Sequence, residues 1–206
     1  MTSTAAAEPA LGLRERKKAQ TRRDLHRAAL EIVLADGLDV VTVDAIAERA
    51  GVSQRTFFNY FATRDDAITG GHQEALERLR VELLARPAAE STTEALRAVL
   101  TDGAHRVLAD PTIWRLRCRV FEAYPELRWR MLGSSATIDR ALVDSAVERA
   151  GLTDADPGFL RVAVEAHAAL GAHRAAMRAL VTHADTTDID ALLDQAFALL
   201  PCSSRP

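Results

Sequence analysis

Residues 42–64, TVDAIAERAGVSQRTFFNYFATR, carry the pattern that decides how the rest of the chain is read. Ala45, Ile46 and Ala50 make an apolar stripe at helical spacing. Gly51 then permits a backbone turn that a residue with a Cβ would resist. Ser53 stands where it can cap a second short helix, and Val52, Phe57 and Phe61 supply that helix's buried side. Between the apolar positions lie Gln54, Arg55, Thr56, Asn59 and Tyr60. The spacing predicts two short helices around a tight turn, the second with a wet face of hydrogen-bonding side chains. That is the equipment for reading the major groove of DNA.

Working outward, the same stretch resembles the helix-turn-helix of the TetR family of transcriptional repressors. The resemblance rests on Gly37, Thr42, Ile46-Ala47, Ala50-Gly51-Val52-Ser53, Thr56-Phe57-Phe58, Tyr60-Phe61 and Thr63-Arg64-Asp65, matched in register over roughly residues 22 to 68. It implies an all-α protein with an N-terminal three-helix DNA-binding domain and a C-terminal helical domain for effector binding and dimerisation. The expected division is a disordered tail over 1–13, the DNA-binding domain over 14–66 and the helical domain over 67–206.

Composition agrees with an all-helical chain. Of 206 residues, 48% are hydrophobic and few are aromatic, and no alternating apolar run is long enough to predict a strand. The net charge is −3, so the chain is not a globally basic nucleic-acid binder. The positive charge is local: between Arg14 and Arg27 there are seven Lys/Arg against two acids. Arg14, Arg16, Lys17 and Lys18 are therefore expected to meet phosphates beside the helix-turn-helix. Residues 1–13 lack the charged start and apolar core of a signal peptide, and no stretch approaches a membrane span. Cys118 and Cys202 have no spacing for zinc or a redox pair. A reducing bacterial cytoplasm is the expected compartment, with the chain on the nucleoid when bound to DNA.

About nine helices are predicted. They cover about 14–36, 43–50, 54–60, 63–85 with Gly70-Gly71 as a soft point, 91–108, 111–124, 126–150, 158–183 and 188–200. Thr63/Asp66 and Ser91/Glu94 form capping pairs, and Pro111 suits a first turn. The helix over 158–183 is apolar on two sides: Phe159, Val162, Ala166, Leu170, Met177, Leu180 and Val181 on one, Val164, Ala168, Ala175 and Ala179 on the other. A helix buried on both sides needs a second partner. The family resemblance implies a homodimer built through the last two helices.

The resemblance also assigns DNA contacts by motif position. Gln54 and Arg55 open the reading helix, where Gln can bond an adenine edge and Arg a guanine edge. Thr56 stands at a phosphate or thymine-methyl position. Phe58 replaces a family Tyr whose hydroxyl bonds phosphate, leaving only an apolar contact. Asn59 and Tyr60 follow on the exposed side, and Tyr60 can supply the missing hydroxyl. Arg64 matches a basic residue that meets the DNA backbone. Thr42 and Ser53 combine capping with phosphate contact. The implied partner is double-stranded DNA with a palindromic operator.

No catalytic constellation is present: no phosphate loop, nucleophile elbow or zinc motif, and six scattered histidines of which His105 falls on a polar face. No metal or cofactor is expected. On the helix over 111–124, Ile113, Leu116, Val120, Phe121 and Tyr124 form an apolar face with Arg117 at its middle. A cation there is costly unless paired. Three readings stand: an ion pair with an acid such as Glu165, a buried stem whose charged head reaches water, or an anchor for an acidic ligand in a cavity lined by Trp114, Phe121 and Tyr124. The run Arg55-Thr56-Phe57-Phe58-x-Tyr60-Phe61 is similar to an actinobacterial subgroup related to mycofactocin regulators, which implies an acyl-CoA-type effector. A helical ligand-binding protein or enzyme that keeps the fold without reading DNA is the rival from another class.

Overall fold

The computed structural model describes residues 12–71, 73–125, 127, 135–182 and 188–200. Among them are ten α-helices and no strand: α1 (Leu13–Asp36), α2 (Val43–Arg49), α3 (Gln54–Phe58), α4 (Arg64–Thr69), α5 (Gln73–Leu84), α6 (Thr92–Leu108), α7 (Pro111–Ala123), α8 (Ser135–Arg149), α9 (Phe159–Thr182) and α10 (Ile189–Ala198). The chain divides into two compact units, a head ending at Gly70 and a body beginning at Gly71.

The expected single helix over 63–85 is two helices. Gly70 (φ 91°) and Gly71 (φ 67°) both take positive φ, which halts α4 after six residues. The boundary between the units falls at this break, four residues beyond the predicted 66/67. Of the expected tail, residues 1–11 lie outside the described residues, and Leu13 already opens α1. The predicted helix over 126–150 is described as helical continuously from Ser135, most of its earlier part lying outside the described residues.

In the head, α1 buries Leu25, His26, Ala28, Ala29, Leu30, Ile32 and Val33 along one stripe. Ile46, Phe57 and Ile68 bring α2, α3 and α4 into the same core, each fully buried. Caps fix where the short helices start. Thr42 Oγ1 accepts from the Ala45 N–H at 3.1 Å and Ser53 Oγ from the Thr56 N–H at 3.1 Å. Thr63 and Asp66 form a reciprocal capping box at α4.

In the body, α9 packs against α6, α8 and α10, and α5 packs against α6 and α8. Leu83, Leu96, Leu142, Ala166 and Leu193 sit at its centre, each at most 1% exposed. Ser91 and Glu94 box the start of α6, and Asp110 caps α7 ahead of Pro111. Ion pairs lie at the rims: Arg80 with Glu148 (2.9 Å), Arg97 with Asp194 (2.6 Å) and Arg174 with Asp139 (2.8 Å). His105, expected to be solvated, bonds Asp190 at 2.8 Å across α6 and α10 while remaining partly exposed.

His173 on α9 has its Nδ1 buried with no hydrogen-bond partner among the described residues. Burial, then the neighbouring Arg174 charge, holds its pKa near 4. The folded-state value is depressed, so the unfolded chain takes up this proton first as pH falls, and stability drops from about pH 6.5 toward 4. His173→Leu should flatten that part of the profile, read as the urea midpoint at successive pH values. An unchanged slope would mean that His173 does not set it.

Candidate nucleic-acid interface

The five residues of α3 place their side chains on opposite sides of a single turn and a half. Phe57 is fully buried, whereas Gln54, Arg55 and Phe58 are exposed and share the other face. Thr56 is half-buried, and its hydroxyl lies 3.0 Å from that of Ser53. Asn59 caps the helix and is exposed, and Tyr60 is half-buried beside it.

The start of α1 meets the end of α3 in an open cleft of about 650 Å³ lined by Leu13, Arg14, Lys17, Lys18, Thr21, Asn59 and Tyr60. Three of the predicted phosphate-contacting cations thus stand together with Asn59 and Tyr60. Arg16 is exposed but is not part of that wall. A cleft with three cations on one wall and an amide and a phenol on the other suits a phosphodiester backbone.

Arg64 is more constrained than its motif position suggested. Its Nη1 donates to the Val41 carbonyl at 2.7 Å, and its Nε lies 3.4 Å from Asp65 Oδ1. It ties the start of α4 to the turn before α2 while part of the side chain stays exposed.

Two residues of α1 matter that the sequence reading passed over. Arg22 donates to the Tyr60 carbonyl at 2.9 Å and to the Gly70 carbonyl at 3.2 Å, with its guanidinium 4.5 Å from the Phe61 ring centre. His26 donates Nδ1–H to the Ala67 carbonyl at 2.7 Å. Carbonyls at a helix C-terminus lack intrahelical donors, and these two side chains serve those at the end of α4. Their i,i+4 spacing beside Leu25 and Ala29 was the available signal: polar groups bordering a core-facing stripe.

In the body, the predicted effector residues all belong to α7 or its end. Phe121 is buried, Trp114 is half-buried against the body core, and Tyr124 forms the C-cap. The Arg117 guanidinium lies 5.9 Å from the Phe121 ring centre, and burial pushes its pKa below the ordinary arginine value. Glu165, the suggested partner, is paired with Arg161 one turn away on α9 at 3.1 Å. Burial raises the pKa of the neighbouring Cys118 thiol. Among the described residues no group of three or more His, Cys, Asp or Glu is arranged to hold a metal ion. No helix there is long and apolar enough to cross a membrane.

Known proteins share this layout. Residues 25–66 match the bacterial regulatory proteins of the tetR family, and residues 90–203 match the MftR C-terminal domain. The HTH-type transcriptional regulator TcmR of Streptomyces glaucescens is 34% identical over 212 aligned positions, covering 99% of this chain and 91% of TcmR. The fatty acid degradation regulator FadR of Bacillus halodurans superposes with a TM-score of 0.54 at 17% identity, covering 90% of this chain and 97% of that one. FadR of Bacillus subtilis, solved with stearoyl-CoA, gives 0.50 at 19% identity, covering 89% and 99%. The helix-turn-helix head, the MftR-type body and the full-length likeness to TcmR together make this chain a member of the tetR family of transcriptional regulators.

Proposed function

We propose that this regulator is a homodimeric repressor that binds a palindromic operator and leaves it when the body takes up an anionic, amphipathic ligand. The observation that carries the DNA half is the single surface on which Gln54, Arg55 and Phe58 face outward beside the cationic cleft at Arg14, Lys17 and Lys18. Thr42, Ser53, Thr56, Asn59, Tyr60, Arg16 and Arg64 surround that surface as backbone contacts. The protein acts in the cytoplasm, on nucleoid DNA. Two reading helices must stand about 34–36 Å apart to enter successive major grooves, so ligand binding releases DNA by altering that spacing.

Dimerisation is supported by α9. Its first face is buried, but Leu160 (71% exposed) and Val164 (59%) open a second apolar face that continues through Ala168, Gly171, Ala175 and Ala179. Small side chains there let another helix approach closely, and Leu199, the C-cap of α10, is 85% exposed. The ligand class is supported by the Arg117 cation, 5.9 Å from the Phe121 ring centre on the helix that also carries Trp114. B. subtilis FadR, which shares the fold, was solved with stearoyl-CoA.

Gel shift on the DNA upstream of the protein's own gene tests the reading directly. Gln54→Ala and Arg55→Ala should each weaken operator binding by about 1–3 kcal/mol and relax the preference at one base. If both variants bind like wild type, α3 is not the reading helix. Ala175 is exposed in the single chain, so Ala175→Arg should fold normally and run at half the wild-type mass by light scattering. A dimer of normal stability would place the interface elsewhere. Arg117→Met should keep DNA binding but need about tenfold or more of an acyl-CoA to release it, the effect of losing a charge-assisted bond. Equal release of both proteins would remove Arg117 from the ligand site.

A further inference from the structure

Phe58 ends α3 with 56% of its surface exposed. It follows Gln54 by four residues and Arg55 by three, so all three side chains stand on one face. The ring meets the Phe57 ring edge-on, with centroids 5.4 Å apart and planes at 88°. Phe57 is itself fully buried and lies 5.9 Å from Phe61. The exposed phenyl is therefore backed by core aromatics and held on the reading face.

A phenyl ring forms no ordinary hydrogen bond, and leaving it in water is unfavourable. Phosphate offers it no apolar surface, and the cations suited to phosphate line the cleft at Arg14, Lys17 and Lys18. On the floor of the major groove, donors and acceptors mark every base pair, and the apolar group is the 5-methyl of thymine. We infer, building on the DNA reading proposed above, that Phe58 is a specificity-determining residue that packs on a thymine methyl in each half-site. One helical turn advances about 5.4 Å and stacked base pairs about 3.4 Å. That thymine then lies about one or two pairs from the base met by Gln54.

The test uses the full chain. Duplexes are selected from a random pool with wild type, Phe58→Ala and Phe58→Leu, and the selected site is then rebuilt with deoxyuridine in place of thymine. That exchange removes the methyl group alone. Wild type should enrich a thymine at one position per half-site, and Phe58→Leu should retain it. Phe58→Ala should lose it while keeping the bases set by Gln54 and Arg55. Deoxyuridine at both half-sites should weaken wild type about fifteenfold, fourfold for each buried methyl, and leave Phe58→Ala nearly unchanged. A 5-methylcytosine at the position should recover part of the wild-type affinity. Deoxyuridine without effect on wild type at any thymine, or with an equal effect on Phe58→Ala, overturns the assignment. If Phe58→Ala fails to fold, the wild-type deoxyuridine titration decides alone. A protein that selects no sequence at all overturns the DNA reading itself, whereas a selected site with no methyl dependence overturns only the role of Phe58.

Discussion

The burial of Phe57 is the constraint on which the reading surface depends. A helix of five residues has no stability of its own, because nucleation fixes several residues for one or two hydrogen bonds. What holds α3 is its environment. Phe57 is sunk in the head core, Ser53 satisfies the Thr56 N–H, and Arg22 satisfies the Tyr60 carbonyl just past the end. With Phe57 inward, the helical period turns Arg55 and Phe58 outward, and Gln54 is exposed in the first turn beside them. One buried ring therefore decides which side chains a duplex would meet. Truncating it would leave a cavity in the head and release the helix's rotation together.

The same economy governs α4. Six residues make little internal hydrogen bonding, so the helix is tied at both ends to others. Arg64 reaches back to Val41, next to the cap of α2, and His26 and Arg22 hold the carbonyls of Ala67 and Gly70. Arg22 joins the end of α4 and the end of α3 through one guanidinium. Gly70 is thus one side chain away from the backbone just past α3. Arginine suits this place because its planar fork serves two carbonyls while its face lies over the Phe61 ring. Lysine, a point charge on a flexible stem, does not present that geometry.

The features legible in the sequence were the local ones. Thr42, Ser53, Thr63–Asp66 and Ser91–Glu94 act over three residues, and the structure places each cap where the pattern put it. The break at Gly70-Gly71 is not legible as a full stop, because glycine licenses positive φ without requiring it. Long-range pairs left no periodic trace. His105 finds Asp190 across 85 positions, and Arg22 finds Tyr60 and Gly70 across 38 and 48. Glu165 adds a local contact that the helical stripe did not show: Arg161, four residues away, bonds its carboxylate. The expected DNA contacts follow motif position and the expected effector residues follow the stripe around Arg117, and for Arg64 the structure adds a demand within the head that the motif could not show.

The two faces of α9 illustrate why composition along a helix outlasts the fold of one chain. Its inner face mixes Val162, Leu170 and Leu180 with Ala166, Ala169 and Ala176, so large side chains of α6, α8 and α10 interlock with small ones. Its outer face repeats the mixture with Leu160 and Val164 at one end and Ala168, Gly171 and Ala175 beyond. A solvated helix face gains nothing from glycine, which costs about 1 kcal/mol relative to alanine in a helix interior. Gly171 is exposed, and a Cβ added there would meet, among the described residues, no atom within 4 Å beyond the backbone of its own helix. The packing of α9 inside this chain therefore does not account for the glycine.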